Sequence, residues 1–250
     1  MRNYAAKEEV APVQGSLEQP IISIVIPVYN EEGFLPTAIP DICAQLHTTD
    51  VAYELILCEN GSTDNTIGIA RALKEEYDGV RVLSIDHADY GRAMRAGMLA
   101  ARAPYTIIFD VDYYSIDFLR EALPLLESYD IVIASKLAPG TDDRRSIFRK
   151  LITRSFSKVI RMAFSTKTTE THGIKAFRTD TVLPVIERTQ LAKDLFDTEL
   201  IIRAERSGLA IKELPITVEE RRPARSSIFK RIPRTVVGLG LLRYYLWKER

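Results

Sequence analysis

Residues 21–28, IISIVIPV, form an almost unbroken run of β-branched and apolar side chains. A strand with one face in water alternates apolar with polar. A run with no polar face fits a strand buried on both sides, as in a parallel sheet covered by helices above and below. The rest of the chain agrees. YELILC, VRVLSI, YTIIF and DIVIAS read as further strands, and FLPTAIPDICAQLH, GSTDNTIGIARALKEEY and GRAMRAGMLAARA as the helices between them. Ser62, Thr63 and Asp64 are cap candidates for the second helix. Beyond these come a basic helix over about 144–164, a short strand at IKAFR, a helix near FDTELIIRAERSG and an extended AIKELPITV. Strands alternating with helices imply βαβ units, hence an α/β fold with a mostly parallel central sheet and helices on both faces in one domain. The expected division is a loose arm over 1–20, the domain over 21–218, and a basic, amphipathic tail over 219–250.

The chain has 250 residues with 34 basic and 34 acidic side chains, a balance that offers no polyanion, and so no nucleic acid, a partner. The charge is unevenly placed. From Arg221 to Arg250 there are nine Arg or Lys and one acidic residue, Glu249. Such a stretch suits an anionic membrane surface or a phosphate. Its most apolar part, 235–247, is interrupted by Arg243. As a helix it would extend about 20 Å, short of the ~30 Å hydrocarbon core. Two readings of it stay open: packing on its own domain, or lying in a membrane interface. Two cysteines make no disulfide framework and no zinc-like spacing, and the N-terminus lacks the apolar core of a signal peptide. The expected setting is therefore cytoplasmic, peripheral on the cytoplasmic face of a membrane.

Polar clusters close three of the strands: Tyr29, Asn30, Glu31 and Glu32 the first, Glu59, Asn60, Gly61, Ser62 and Asp64 the second, Asp110 and Asp112 the fourth. In an open parallel sheet these ends lie along one edge, where ligands bind. Acidic groups gathered there repel one another unless a cation intervenes. Hard cations such as Mg2+ or Mn2+ take carboxylate and phosphate oxygens, so a divalent metal at Asp110 and Asp112 is expected. No GxxxxGK[ST] loop occurs, and no GxGxxG follows the first strand.

The ordered set SIVIPVYNEE, ENGSTDNT, DYGRAMRAGMLAARAPYTIIFDVD, ETHGIKAFR and FDTELIIRAERSGLAIKELPI resembles the inverting family 2 glycosyltransferases of the GT-A fold, and among them the polyprenyl-phosphate (dolichyl-phosphate) mannose and glucose synthases. The resemblance implies that Pro27, Tyr29 and Glu31 border the nucleotide of a GDP- or UDP-sugar. Glu59 stands where the family usually has an Asp facing the base, and Asn60 where a second Asp is common. Gly61 and Ser62 continue that loop. Gly91 and Arg92 match a Gly-Lys/Arg pair near the nucleotide, and Asp110 and Asp112 match the metal-binding Asp-x-Asp. Lys136, with Arg149 and Thr153 four apart on one helical face, matches the groups that hold a lipid phosphate. Glu170 stands near a position the family gives to Asp, and His172 is a further candidate base.

The reaction implied is displacement of a nucleoside diphosphate from the anomeric carbon, with the metal at Asp112, supported by Asp110, neutralising the leaving group. A lipid phosphate nucleophile needs no general base. A hydroxyl acceptor, in a soluble transferase, would need one, and Asp197 or Glu199 are the candidates. An inactive nucleotide-sugar or membrane-binding adaptor is the alternative from another class.

Overall fold

The computed structural model describes residues 7–8, 19–86, 88–191, 195–218 and 228–249. Strand β1 (Lys7–Glu8) is followed by β2 (Ile22–Val28), α1 (Leu35–Leu46), β3 (Tyr53–Asn60), α2 (Thr66–Glu76), β4 (Val80–Ile85), α3 (Tyr90–Ala100), β5 (Tyr105–Ile108) and α4 (Ile116–Leu125). The second half contains β6 (Ile131–Ser135), β7 (Asp142–Asp143), α5 (Ile147–Phe164), β8 (Lys175–Arg178), α6 (Thr179–Glu187), α7 (Phe196–Arg206), β9 (Ile211–Pro215), β10 (Thr217–Val218) and α8 (Ile228–Lys248). The main sheet runs β1-β4-β3-β2-β5-β8-β6-β9. The pairs among β4, β3, β2 and β5 and the pair β6–β9 are parallel, whereas β8 runs antiparallel to both its neighbours. A parallel β7–β10 pair stands apart.

Both faces of the sheet are covered, as the unbroken apolar run of β2 requires. Ile22, Ile24 and Ile26 point to one side, where α1, α2 and α4 contribute Leu35, Ile39, Ala70, Leu73 and Leu119. Val25 points to the other, with Met94 and Met98 of α3, Val182 and Ile186 of α6, and Phe196 and Leu200 of α7. α3 lies so close to the sheet that a Cβ at Gly97 would come within 2.3 Å of Cys58 Sγ and 2.5 Å of Val25 Cγ1. A third cluster joins Ile160 and Phe164 of α5, Ile202 of α7, and Leu242 and Leu246 of α8. The tail therefore packs on its own domain along one face. A Cβ at Gly238 would meet Leu195 Cδ1 at 2.2 Å, so α8 approaches as closely as a glycine allows.

At the amino ends of β2 and β3 a buried polar knot ties strands to loop. Ser23 Oγ donates to Glu54 Oε1 at 2.5 Å, Arg81 pairs with Glu54, and the Arg102 and Ala103 amides donate to Ser23 Oγ.

Two details differ from the sequence reading. Lys7 and Glu8, within the expected loose arm, add an antiparallel strand to β4, satisfying part of that sheet edge. α2 starts one to three residues later than its cap candidates: Asn65 is the N-cap and makes no side-chain cap bond, while Asp64 accepts from the Thr66 amide at 3.0 Å. Residues 1–6 and 9–18 of the arm and residues 219–227 lie outside the described residues.

Candidate active site

The loops after β2 and β3 are laced together. Asn30 adopts a left-handed backbone with φ 52. Its amide donates to Ser62 Oγ at 3.0 Å, and its Oδ1 accepts from the Thr63 amide at 2.8 Å. The Glu31 amide donates to Thr66 Oγ1, and Glu32 accepts from the Asn65 amide. Tyr29 is exposed and Pro27 half-buried at the rim. Glu59 and Asn60 are both buried and turned inward. Glu59 accepts from the Ser62 amide at 2.5 Å and from Ser84 Oγ at 2.7 Å, and Asn60 Oδ1 accepts from the Asp89 amide. They shape the loops at the expected base site with carboxylate and amide already engaged. Gly61 takes φ 65, which suits a residue without Cβ. Asp89 caps α3 by accepting from the Arg92 amide, and Arg92 pairs back to Asp89 at 3.4 Å. Gly91 is buried in that first turn.

Asp110 and Asp112 sit just past the carboxyl end of β5, in a turn closed by reciprocal backbone bonds between Asp110 and Tyr113. Burial, then the charges of Asp112 and Asp197, push the Asp110 carboxyl up to about 6, while Lys175 and Lys136 oppose the rise. The carboxylates thus repel one another across a site with cations close by.

Lys175 is 1% exposed. Its ammonium donates to Gly173 O at 2.8 Å and to Asp197 Oδ1 at 2.7 Å. Burial alone would raise Asp197; Lys175, His172 and hydrogen bonds from Lys175 and Tyr90 bring it below the usual carboxylate range. Lys136 pairs with buried Glu170 at 3.4 Å, and Glu170 also accepts from the His172 amide. For Glu170 too, burial raises and Lys136 then lowers the carboxyl, with a net fall. Glycine at 173, with φ +94, lets Lys136 approach; a Cβ there would meet its Nζ at 3.4 Å.

Arg149 and Thr153 lie on the half-buried, inward side of α5. Thr153 Oγ1 donates to Arg149 O at 3.0 Å, and Arg145, paired with Asp143 through two bonds, reaches Thr153 Oγ1 at 3.4 Å. One turn on, Phe156 packs edge-on against the His172 ring at 5.6 Å. That contact joins the Arg149 face to the loop holding Glu170 and, through it, Lys136. Glu199 is placed differently. It is fully buried, with Oε1 on Arg203 Nε at 2.7 Å and Oε2 on the Gln190 and Leu191 amides. Arg203 in turn pairs with Glu249 at the end of α8. Glu199 thus belongs to a clamp that fastens α8, enclosed by its donors.

Lys175 and Tyr90 join the site with little mark in the sequence: in ETHGIKAFR, a basic residue within a strand is the available signal for Lys175.

The donor set at Asp110 and Asp112 is hard oxygen, and among the described residues no group of three or more His, Cys, Asp or Glu side chains could hold a metal alone. Two carboxylates that repel each other, with only lysines in partial opposition, fit Mg2+ or Mn2+ whose other ligands are substrate phosphates and water.

The profile of "Glycosyl transferase family 2" matches residues 23–182. A "Dolichyl-phosphate beta-glucosyltransferase" of Drosophila melanogaster is 28% identical over 214 residues, 78% of this chain; the match spans 66% of the fly protein, just under two thirds of its length. A "Dolichyl-phosphate hexose transferase" of Haloferax volcanii is 30% identical over 203 residues, covering 80% of this chain and 83% of that protein. Among solved structures, glucosyl-3-phosphoglycerate synthase from Mycobacterium tuberculosis, in complex with Mn2+, UDP and glucosyl-3-phosphoglycerate, superposes with a TM-score of 0.65 at 21% identity over 90% of this chain and 80% of that one, a likeness of fold. With its GT-A sheet and the family's motifs spread along it, this chain belongs to glycosyl transferase family 2 and is a glycosyltransferase.

Proposed function

We propose that this enzyme moves a sugar from a nucleoside-diphosphate sugar, GDP- or UDP-linked, to a polyprenyl phosphate, with inversion at the anomeric carbon. The observation that carries the reading is that the charges of Asp197, Lys175 and Lys136 all act on Asp110, with Lys175 bonded to Asp197 and Lys136 paired with Glu170, whose neighbour His172 packs on Phe156 of the Arg149–Thr153 face of α5. It sets a leaving-group side beside a side suited to an anionic acceptor.

Asp110 and Asp112 would hold a divalent metal, which when bound neutralises charge gathering on the departing diphosphate. The loops after β2 and β3, with Pro27, Tyr29, Glu31, Glu59, Asn60, Gly61 and Ser62, form the nucleotide side, together with Gly91 and Arg92 on α3. Lys136, Arg149 and Thr153 orient the acceptor phosphate for attack from the opposite face. A lipid phosphate is ionised at neutral pH and needs no base. A hydroxyl acceptor would need a carboxylate free to take a proton, and the two candidates suit that poorly. Asp197 is tied to Lys175 and held below the usual range, and Glu199 is enclosed by Arg203 and two amides. Asp197 is better read as positioning Lys175 and Tyr90.

The names of the fly and archaeal relatives support the acceptor class, and the fold relative's complex with Mn2+ and UDP supports the metal and a UDP-linked donor. No helix among the described residues is long and apolar enough to cross a membrane. On this reading the enzyme works peripherally, on the cytoplasmic face of a membrane, with α8 in contact with the surface.

The test is a transfer screen with GDP-mannose, UDP-glucose and UDP-N-acetylglucosamine, with and without a short polyprenyl phosphate. Product formation that requires both Mn2+ and the prenyl phosphate is expected. Transfer only to sugar hydroxyls would overturn the acceptor assignment.

A further inference from the structure

α5 shows apolar side chains on both of its faces, which a solvated helix does not. Its inward face holds Arg149, Thr153, Phe156 and the buried Ile160 and Phe164. Outward, Ile147 is 84% exposed, Met162 74% and Leu151 60%, and Phe148 and Val159 are more than half exposed. At about 100° per residue these five fall within one arc of roughly 120°. A surface helix ordinarily presents charged and polar residues there.

The second helix repeats the pattern. α8 rests on α5 through Leu242 and Leu246, with Arg243 donating to Ala163 O at 2.6 Å. Its outward side shows Val236, Val237, Tyr244 and Trp247, all more than half exposed. The two helices contain ten Lys or Arg and no Asp or Glu. Apolar side chains facing out, cations of one sign only, and Trp and Tyr in the last turns match an anionic bilayer interface. A protein partner of mixed charge would leave those cations without systematic partners.

We propose that the outward stripe of α5 (Ile147, Phe148, Leu151, Val159 and Met162) seats the enzyme in an anionic bilayer and thereby fixes the height at which Arg149 and Thr153 meet the acceptor. The second clause rests on the polyprenyl-phosphate reading above. An interfacial helix sinks its apolar face about 5–10 Å into the headgroup–acyl boundary. A helix with its side chains is about 10–12 Å across. The opposite face then lies level with lipid phosphates, so a prenyl phosphate meets Arg149 while its chain stays in hydrocarbon. α5 is thus both anchor and depth gauge.

The full chain is floated with phosphatidylcholine vesicles containing or lacking phosphatidylglycerol. The double variant L151Q/M162Q is expected to bind the anionic vesicles more than about ten-fold more weakly, as loss of two buried apolar side chains requires. It should keep parental thermal stability, donor binding and transfer to a short, water-soluble prenyl phosphate, but lose transfer to a long acceptor embedded in vesicles. R149A should do the reverse, binding vesicles normally and failing on both acceptors. For depth, L151W in a W247F background, whose only tryptophan then lies on α5, should be quenched by brominated lipid. If no prenyl phosphate is ever used but L151Q/M162Q still loses vesicles, the acceptor reading fails and the bilayer seat stands. Unaltered flotation of L151Q/M162Q, or L151W unquenched on bound vesicles, overturns the seat. So does an oligomer that L151Q/M162Q converts to monomers with vesicle binding unchanged, since the stripe would then be a contact between copies.

Discussion

Lys175 of β8 and Asp197 in the first turn of α7 meet at 2.7 Å with only 1% and 4% of their side chains exposed, close enough to Asp110 for both charges to act on it. Removing one partner of a buried pair strands the other charge. Lys175→Met is therefore expected to cost about 3–5 kcal/mol in urea unfolding at neutral pH, and K175M/D197L to recover most of it. Asp197 has a folded-state pKa below its unfolded one, so its share of stability is present above the unfolded value and lost as pH falls through the folded value. The deficit of Lys175→Met should accordingly shrink in acid. Parental stability of Lys175→Met at neutral pH would show that the pair does not support the fold.

Asp110 has the opposite sign. Its folded pKa stands at about 6, well above the ordinary value of 3.8. Below about pH 4 both states are protonated and the group is neutral in its effect. As pH rises from 4 to 6 the unfolded chain ionises first, and a penalty of at most roughly 3 kcal/mol develops and persists above 6. Asp110→Asn should abolish that slope and raise the metal-free protein's Tm at pH 7, while eliminating transfer. A Tm unchanged from pH 4 to 7 in metal-free parent and variant alike would refute the electrostatic account.

Asp112→Asn is expected to remove Mn2+-dependent nucleoside-diphosphate binding and transfer while leaving the circular dichroism spectrum intact and the Tm of the metal-free protein no lower than the parent's. Calorimetry with UDP or GDP in the presence and absence of Mn2+ reads this directly. Full activity in EDTA would rule out the metal assignment.

Arg149→Ala should raise the KM for prenyl phosphate about ten- to a hundred-fold, the loss of roughly 1.5–3 kcal/mol for a charged phosphate contact, with little change in the KM for sugar nucleotide. Steady-state kinetics varying each substrate separate the two. An equal effect on both would return Arg149 to a general structural role.

The layered fold was legible in the sequence because strands buried on both faces leave continuous apolar runs, and Asp110 and Asp112 were legible because carboxylates ending such a run are costly. Lys175 was not: it sits in a short strand, and the Asp197 that compensates it is 22 residues away in sequence. The antiparallel sense of β8 was equally hidden, since a four-residue strand carries no mark of direction. Glu59 and Asn60 end β3, and that they turn inward depends on Ser84 and Asp89 from later in the chain. The outward stripe of α5 escaped notice because both of its faces contain apolar residues, and only tertiary packing decides which is inside.

Strand order also has an evolutionary consequence. In chain order, every element from β2 to α3, which the proposed reading gives to the donor, precedes Asp110, and every group it gives to the acceptor follows Asp112. On the proposed reading, donor choice and acceptor choice would be written in consecutive stretches of one gene, meeting between Asp112 and the start of α4. A lineage can exchange one specificity without rewriting the other, and a chimera joined there inherits its two substrates from two different parents.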